Sequence, residues 1–219
     1  VYKRQNTLIL SLIKLFLNTG AAVIISLLLN EITNMIFKKT VQTIIYLPHF
    51  MSWVVVASVF KMLLAPYDSA PVNSILINMG VIDTAVDFMN STAYWRGTFY
   101  IMNVWKDTGW GTILFLATLS GISPDLYEAA QIDGANRFKR LIYITLPALA
   151  NTIITVFILN LAKVMNLFES VFVTQSAGTY DVSQVLQTYV YNKTFSASFS
   201  DYGLSLIHIS EPTRQEAIS

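Results

Sequence analysis

The sequence has no cysteine and few charged residues. Of its 219 residues, Asp, Glu, Lys and Arg together make up 12%. The absence of cysteine excludes disulfides, thiol nucleophiles, Cys-ligated zinc and iron–sulfur clusters. Because soluble domains carry about 25% charged residues, the low charge argues against a disordered chain, a nucleic-acid-binding surface and an ordinary cytosolic enzyme.

Apolar residues take the place of the missing charge. They make up 54% of the sequence, and the mean hydropathy is positive at +0.53, which is typical of a membrane protein. The net charge of +1 indicates nothing about partners, and nucleic acid is not expected among them. The sequence contains only two histidines, His49 and His208, and they lie far apart along the chain. Because a lone histidine makes no metal site, we expect no metal site.

Four stretches are long and apolar enough for a membrane-spanning helix, which needs about 20 such residues. They cover residues 7–29, 41–64, 98–120 and 148–172. Each could instead be a buried helix of a large soluble core, but four in so short a chain favour a membrane bundle. Pro48 lies inside the second stretch, where it is expected to kink or break the helix.

The connections between these stretches alternate in basic residues. The first, 30–40, contains Lys38 and Lys39, and the third, 121–147, contains Arg137, Lys139 and Arg140. The second, 65–94, has no Lys or Arg, and the fourth, 173–203, has Lys193 alone. The positive-inside rule predicts that the first and third lie in the cytoplasm. The fold class is therefore an all-α polytopic transmembrane bundle, with four of about six helices present.

Both ends of the sequence have the pattern of a translated sequencing adapter. Residues 1–5 can be coded by GTG TAT AAG AGA CAG, whose reverse complement encodes residues 204–208. Chance is the alternative, because codon degeneracy leaves freedom. We expect residues 1–5 and 204–219 to be adapter and residues 6–203 to be the transmembrane domain.

The third connection has the local signals of two short helices joined by a tight turn. Ser123 is a good N-cap, and Pro124 is favoured at the first helical position. Asp133 and Gly134 form a turn signal, and Gly134 can adopt a positive φ. A second short helix is predicted over 135–144, before the fourth spanning stretch begins.

This connection resembles the EAA loop of the membrane subunits of ABC importers. The family pattern is E-A-A, three residues, G, and further on L-P. The matching residues are Glu128, Ala129, Ala130, Asp133, Gly134, Ala135, Leu146 and Pro147. E-A-A alone occurs in any alanine-rich helix, so the specificity comes from its place in a predicted cytoplasmic loop. The alternative is an amphipathic surface helix pair without a partner. We call residues 121–147 the EAA loop.

The resemblance implies a MetI-like permease subunit of an ATP-binding-cassette importer, multi-pass in a bacterial cell membrane. In that family the EAA loop seats in a cleft of the ATPase and couples its movement to transport. The chain lacks the G-x-x-x-x-G-K-[ST] phosphate loop, so it is expected to be no enzyme and to bind no cofactor. ATP and Mg²⁺ would be bound by a partner. The implied partners are a second homologous permease, a cytoplasmic ATPase dimer, an extracellular lipid-anchored sugar-binding protein and the lipid bilayer.

Three further stretches resemble one branch of the carbohydrate importers, the LplB/YteP type. They lie at 6–11, at 28–31 with 42–55, and at 105–111. This resemblance implies an oligosaccharide substrate. The same architecture with another small solute remains an alternative. An ATP-independent secondary transporter is a second one, although the sequence lacks the internal repeats that favour it.

Ionisable residues inside a membrane are functional candidates by default. Lys106 and Asp107 lie in the third stretch between Trp105 and Trp110. These four residues could form a polar and aromatic face that contacts sugar. Alternatively, the nearby glycines serve helix packing and the two charges find partners within the bundle. The connection 173–203 could cap the pathway, meet the binding protein, or be a solvated loop.

Overall fold

The computed structural model describes residues 2–162 and 165–195, and these contain α-helices and shorter helical turns but no β-strand. The predicted all-α class is therefore confirmed. Residue 1, Lys163, the end of the 173–203 connection and the predicted adapter at 204–219 lie outside the described residues. The helices are α1 (Tyr2–Asn30), α2 (Met35–Tyr46), α3 (Trp53–Leu63), α4 (Pro71–Asn78), α5 (Thr92–Ser120), α6 (Pro124–Ile132), α7 (Arg137–Arg140), α8 (Leu146–Ala162), α9 (Phe168–Thr174), α10 (Tyr180–Ser183) and α11 (Leu186–Phe195).

The second predicted span is not one straight helix. A 3-10 turn at Leu47–Phe50 follows α2, and the direction of the chain changes by 107° before α3. Pro48 lies in this turn and has no backbone N–H to continue the α-helical ladder. The break expected at Pro48 is present, and it divides the apolar stretch into two short helices.

The fourth predicted span is displaced along the chain. A continuous helical segment runs from Arg137 to Ala162, so it begins 11 residues before the predicted start at 148 and ends before the predicted end at 172. Residues 168–172 belong instead to the separate helix α9. The prediction was wrong here for two reasons. The helix continues through Pro147, and apolar residues resume in α9 after Lys163 and Asn166.

Two helices in the described part of the chain are long and apolar enough to cross a membrane: α1 and Arg137–Ala162. The bent pair α2–α3 makes a third if it counts as one span. The expectation of four spans is thus reduced to two or three. The remaining stretch lies in α5, which has 29 residues but includes the charged Lys106 and Asp107.

The chain divides into two compact units. One contains residues 12–62 and 97–162, and its buried core joins α1, α5 and α8 through Leu29, Phe115 and Leu149. A Cβ atom on Gly111 would lie 2.8 Å from the Ala22 Cβ, so glycine allows α5 to approach α1 closely. The Thr118 and Thr152 hydroxyls share a hydrogen bond of 2.8 Å between α5 and α8.

The other unit contains residues 2–11, 63–96 and 165–195. Asn6 connects three of its segments: its Nδ2 donates to the Asp181 carbonyl at 2.8 Å, and its Oδ1 accepts from Arg96 Nη2 at 2.7 Å. Buried Trp95 donates through Nε1 to the Thr174 carbonyl at 3.1 Å. The described part of the 173–203 connection is thus folded into short helices held by α1 and the start of α5.

Candidate functional site

The EAA loop forms a helix–turn–helix whose turn depends on glycine. Ser123 Oγ accepts the Asp125 N–H at 3.3 Å and caps α6, with Pro124 at the first position. After α6, the Gly134 N–H donates to the Gln131 carbonyl and the Ala135 N–H to the Ala130 carbonyl. Together with the Gly134 φ of +74°, this is a Schellman ending, for which glycine is favoured. The turn predicted at 133–134 is confirmed.

A second cap and a wide helical turn connect the EAA loop to α8. Asn136 Oδ1 accepts the Lys139 N–H at 2.8 Å and begins α7. Residues Leu141–Thr145 form a π-helix, in which the Leu146 N–H bonds to the Leu141 carbonyl. Pro147 follows within the first turn of α8 and has no N–H to bond four residues back. Leu146 and Pro147 therefore lie inside the continuous helical segment Arg137–Ala162.

The surface of the EAA loop is largely unpaired. Glu128, Ala129, Asp133 and Gly134 are exposed, whereas Ala130 and Ala135 are half-buried. Large apolar side chains project from the same segment, with Ile132 88% and Phe138 68% exposed. A Cβ on Gly134 would meet no atom within 4 Å. The motif residues thus lie together on an open surface rather than in a packed core.

The charged residues of α5 face the broken helix. Lys106 is 7% exposed, and its Nζ donates to the His49 carbonyl at 2.9 Å, where the 3-10 turn ends. Asp107 Oδ2 lies 3.6 Å from Lys14 Nζ on α1, and its Oδ1 lies 3.9 Å from His49 Nδ1. We call Lys14, His49, Lys106 and Asp107 the charge cluster.

Aromatic rings surround the charge cluster. The Trp53 ring centroid lies 5.9 Å from Lys14 Nζ and 5.5 Å from Lys106 Nζ, within range of cation–π attraction. Trp110 stacks on the His49 ring at 5.5 Å. A Cβ on Gly109 would lie 2.6 Å from the Ile45 carbonyl oxygen, so glycine lets the end of α2 contact α5.

The four candidate substrate residues on α5 thus divide into two pairs. Lys106 and Asp107 contact the chain itself, while Trp105 and Trp110 are 41% and 50% exposed. Trp105 also lines an apolar cavity of about 510 Å³ with Tyr100 and Pro48. Sequence reasoning did not assign Lys14, His49 or Trp53 to this region. The sequence did contain one signal for this contact. Asp107, the carboxylate of the third apolar stretch, needs a basic partner from another stretch.

Comparisons with known proteins agree with this architecture. The family described as "Binding-protein-dependent transport system inner membrane component" matches residues 18–207. LplB of Bacillus subtilis (strain 168) is 38% identical over 85% of this chain and 58% of its own length. The polygalacturonan/rhamnogalacturonan transport system permease protein YteP of the same strain is 37% identical with the same coverage. The chain thus spans somewhat over half the length of these relatives.

Solved structures give the same result. A bacterial ABC transporter involved in the import of the acidic polysaccharide alginate superposes with a TM-score of 0.85. It is 32% identical, over 93% of this chain and 71% of that one. A bacterial alginate ABC transporter in complex with an alginate pentasaccharide-bound periplasmic protein superposes with a TM-score of 0.83. It is 33% identical, over 89% of this chain and 67% of that one. The suspected resemblance to carbohydrate importer permeases is therefore confirmed, and the chain belongs to the binding-protein-dependent transport system inner membrane component family.

Proposed function

We propose that this chain is the permease subunit of an ATP-driven oligosaccharide importer and forms half of the transmembrane pathway. The observation that carries this proposal is the EAA loop, an exposed helix–turn–helix with unpaired apolar side chains and a glycine turn. Such a surface has the shape of a rigid insert for a partner's cleft. The polygalacturonan/rhamnogalacturonan permease YteP and the alginate importer, both similar to this chain, support a sugar substrate.

The EAA loop is proposed to seat in a cytoplasmic ATPase dimer, which binds ATP and Mg²⁺. The residues in contact are Glu128, Ala129, Ala130, Asp133, Gly134 and Ala135, with Leu146 and Pro147 joining the loop to α8. Ala129 and Ala130 are small enough for close approach, and exposed Glu128 offers a charge to the partner. Closure of the ATPase dimer would move the loop as a rigid body and switch the permease between inward- and outward-facing states.

The remaining partners are a second homologous permease and an extracellular lipid-anchored sugar-binding protein. The alginate transporter in complex with its periplasmic protein supports this arrangement. The permease does no covalent chemistry itself. Its contribution is a pathway that opens to one side of the membrane at a time.

The coupling proposal is tested with the full-length protein, reconstituted in liposomes with its partner permease, binding protein and ATPase. We expect sugar-stimulated ATP hydrolysis, and we expect Gly134→Asp to abolish the stimulation. Gly80→Asp is the matched control, because Gly80 also has a positive φ, +69°, and also has no atom within 4 Å of a Cβ. Backbone strain is thus the same in both variants.

Hydrolysis that ignores sugar and both substitutions in an intact complex would overturn the coupling proposal. Uptake driven by an ion gradient without ATP would point to the secondary transporter instead. A panel of sugars and other small solutes in the same assay identifies the substrate class.

For the substrate pathway, we propose that Trp105 and Trp110 contact sugar, while Lys106 and Asp107 hold His49, on which Trp110 stacks. The exposed faces of the two indoles suit stacking on sugar rings. Trp110→Ala should raise the sugar concentration needed for half-maximal stimulation, and it should lower thermal stability somewhat because the indole stacks on His49. Trp110→Phe, which keeps an aromatic face, should restore most of the affinity. If Trp110→Ala leaves the sugar dependence unchanged, Trp110 is not part of the pathway.

A further inference from the structure

A second, polar cavity lies beside the EAA loop. Its volume is about 260 Å³, and its lining includes Glu31, Thr33, Tyr127, Gln131, Arg137 and Arg140. Glu31 directly follows α1, and Arg137 begins the segment Arg137–Ala162; these are the two unbroken helices long enough to span a membrane. The cavity therefore lies beside one end of each of two candidate membrane spans.

The charges of this cavity are incompletely paired. Arg137 Nη1 lies 3.8 Å from Glu31 Oε2, but the two side chains are 85% and 64% exposed, so this pair is weak. Arg140 Nε is buried and has no hydrogen-bond partner within residues 2–162 and 165–195. Leaving a buried donor unpaired is costly, more so for a charged group. Two guanidinium groups and one carboxylate thus give the lining of the cavity a net positive charge.

The π-helix shapes the wall of the cavity. Its hydrogen bonds join residues five apart, so Arg140 and Thr145 lie on the same side, both in the lining. The Thr145 hydroxyl is 3.1 Å from the Tyr127 hydroxyl on α6. The Thr145 hydroxyl also donates to the Arg140 carbonyl at 3.4 Å, so both hydroxyl hydrogens are used within the chain. The guanidinium groups are therefore the donors left for phosphate oxygens.

We propose that this cavity binds the phosphate headgroup of an anionic phospholipid. Pockets for whole small ligands measure about 300–1,000 Å³, so a cavity slightly smaller than this holds a headgroup rather than a whole lipid. Exposed Ile142 and Tyr143 on the same segment provide apolar surface for the acyl chains. The basic residues of the EAA loop predict that the cavity lies on the cytoplasmic side, where the leaflet carries anionic lipid. A bound lipid would link the end of α1 to the EAA loop.

Lipid binding in this cavity is independent of the import function proposed above, and its test needs neither sugar nor ATP. The assembled complex is incorporated in nanodiscs of phosphatidylcholine with phosphatidylglycerol, extracted, and weighed by native mass spectrometry. We expect the wild type to retain phosphatidylglycerol. Arg140→Gln and Arg137→Gln should each retain at least about tenfold less, the loss expected for a charge-assisted hydrogen bond. Lys139→Gln is the matched control, because Lys139 lies on α7 between them and does not line the cavity.

Arg137 is the safer substitution because its side chain is largely exposed, and thermal unfolding of each variant shows whether it folds. Equal retention of both lipids, or equal retention by all three variants, would overturn the proposal. Displacement of the lipid by millimolar glycerol phosphate would assign the cavity to a soluble phosphate compound instead. Lipid that is retained only when the ATPase is removed would assign the cavity to the ATPase interface.

Discussion

The charge cluster and the EAA loop use their polar residues in opposite ways. In the charge cluster, Lys106 contacts a backbone carbonyl and Asp107 lies beside Lys14 and His49. In the EAA loop, Glu128 and Asp133 are exposed and Ile132 projects from the surface. Polar groups that pair within their own chain support the architecture. Groups left open, next to exposed apolar side chains, indicate a surface for a partner. Four predictions test this contrast, in order of their effect on the free energy of unfolding.

Asp107→Leu should have the largest effect, because it leaves Lys14 without its counter-charge. Breaking a fully buried pair costs about 3–5 kcal/mol, and partial exposure of both side chains places this loss near the lower end. Thermal unfolding of the purified complex measures it. The double variant Lys14→Met/Asp107→Leu should recover most of the loss.

Glu31→Gln, which removes the exposed pair with Arg137, should change little. Equal effects of Asp107→Leu and Glu31→Gln would remove the contrast.

Gly109→Ala should lower stability by about 2 kcal/mol, the usual cost of overpacking. The added methyl would lie 2.6 Å from the Ile45 carbonyl oxygen, so α2 or α5 must move. Gly97→Ala, on the same helix, meets nothing within 4 Å and should be neutral or slightly stabilising. The melting temperatures of the two variants give the comparison. If they agree, α2 and α5 do not pack as closely as described.

Asn136→Ala should cost about 1 kcal/mol, the usual value of a lost N-cap. The effect should stay local, because the Asn136 side chain holds the exposed helix α7. Hydrogen exchange of residues 137–140 should accelerate while that of α5 stays unchanged. Asn136→Gly should show a smaller change, since glycine is itself tolerated at this position. Faster exchange throughout α5 would mean that the EAA loop contributes to the stability of the bundle.

Ile132→Ser should change stability by less than about 0.5 kcal/mol, as at most surface sites. Its side chain is 88% exposed, so little packing is lost. Co-purification of the ATPase should nevertheless fall. Ile75→Ser, an exposed isoleucine on α4, serves as the control and should affect neither property. An unfolded Ile132→Ser protein would contradict the view that this surface is free for a partner.

Local chemistry predicted the features that depend on a few neighbouring residues. Ser123 and Pro124 begin α6, Gly134 ends it, and Pro48 lies at the break between α2 and α3. In each case a missing donor, a capping oxygen or a positive φ limits the backbone within one turn. The helical bundle followed from the four long apolar stretches, and the family followed from the order of motifs along the chain.

Features that depend on distant residues were not predictable in the same way. Lys14 and Asp107 meet only because α1 and α5 pack together, and nothing in either stretch specifies the other. The displaced end of the fourth stretch has a related cause: apolar residues resume in α9 after the break, so the mean hydropathy of the whole stretch does not distinguish one helix from two. Pro48 predicts a break in the helix but not its angle, so the 107° change of direction before α3 could not be predicted from the sequence.

The π-helix at Leu141–Thr145 contains one residue more than an α-helical turn needs. Deleting a single residue there would leave an unbroken α-helix instead of a gap. Because the wide turn absorbs the extra residue, this deletion would leave the EAA loop facing nearly the same direction about the axis of α8. Deleting a residue from the regular part of α8 would instead rotate the loop by about 100° and displace it by about 1.5 Å along that axis. The π-helix is therefore a point at which related chains can differ by one residue in length and still present the same side of the loop to a partner.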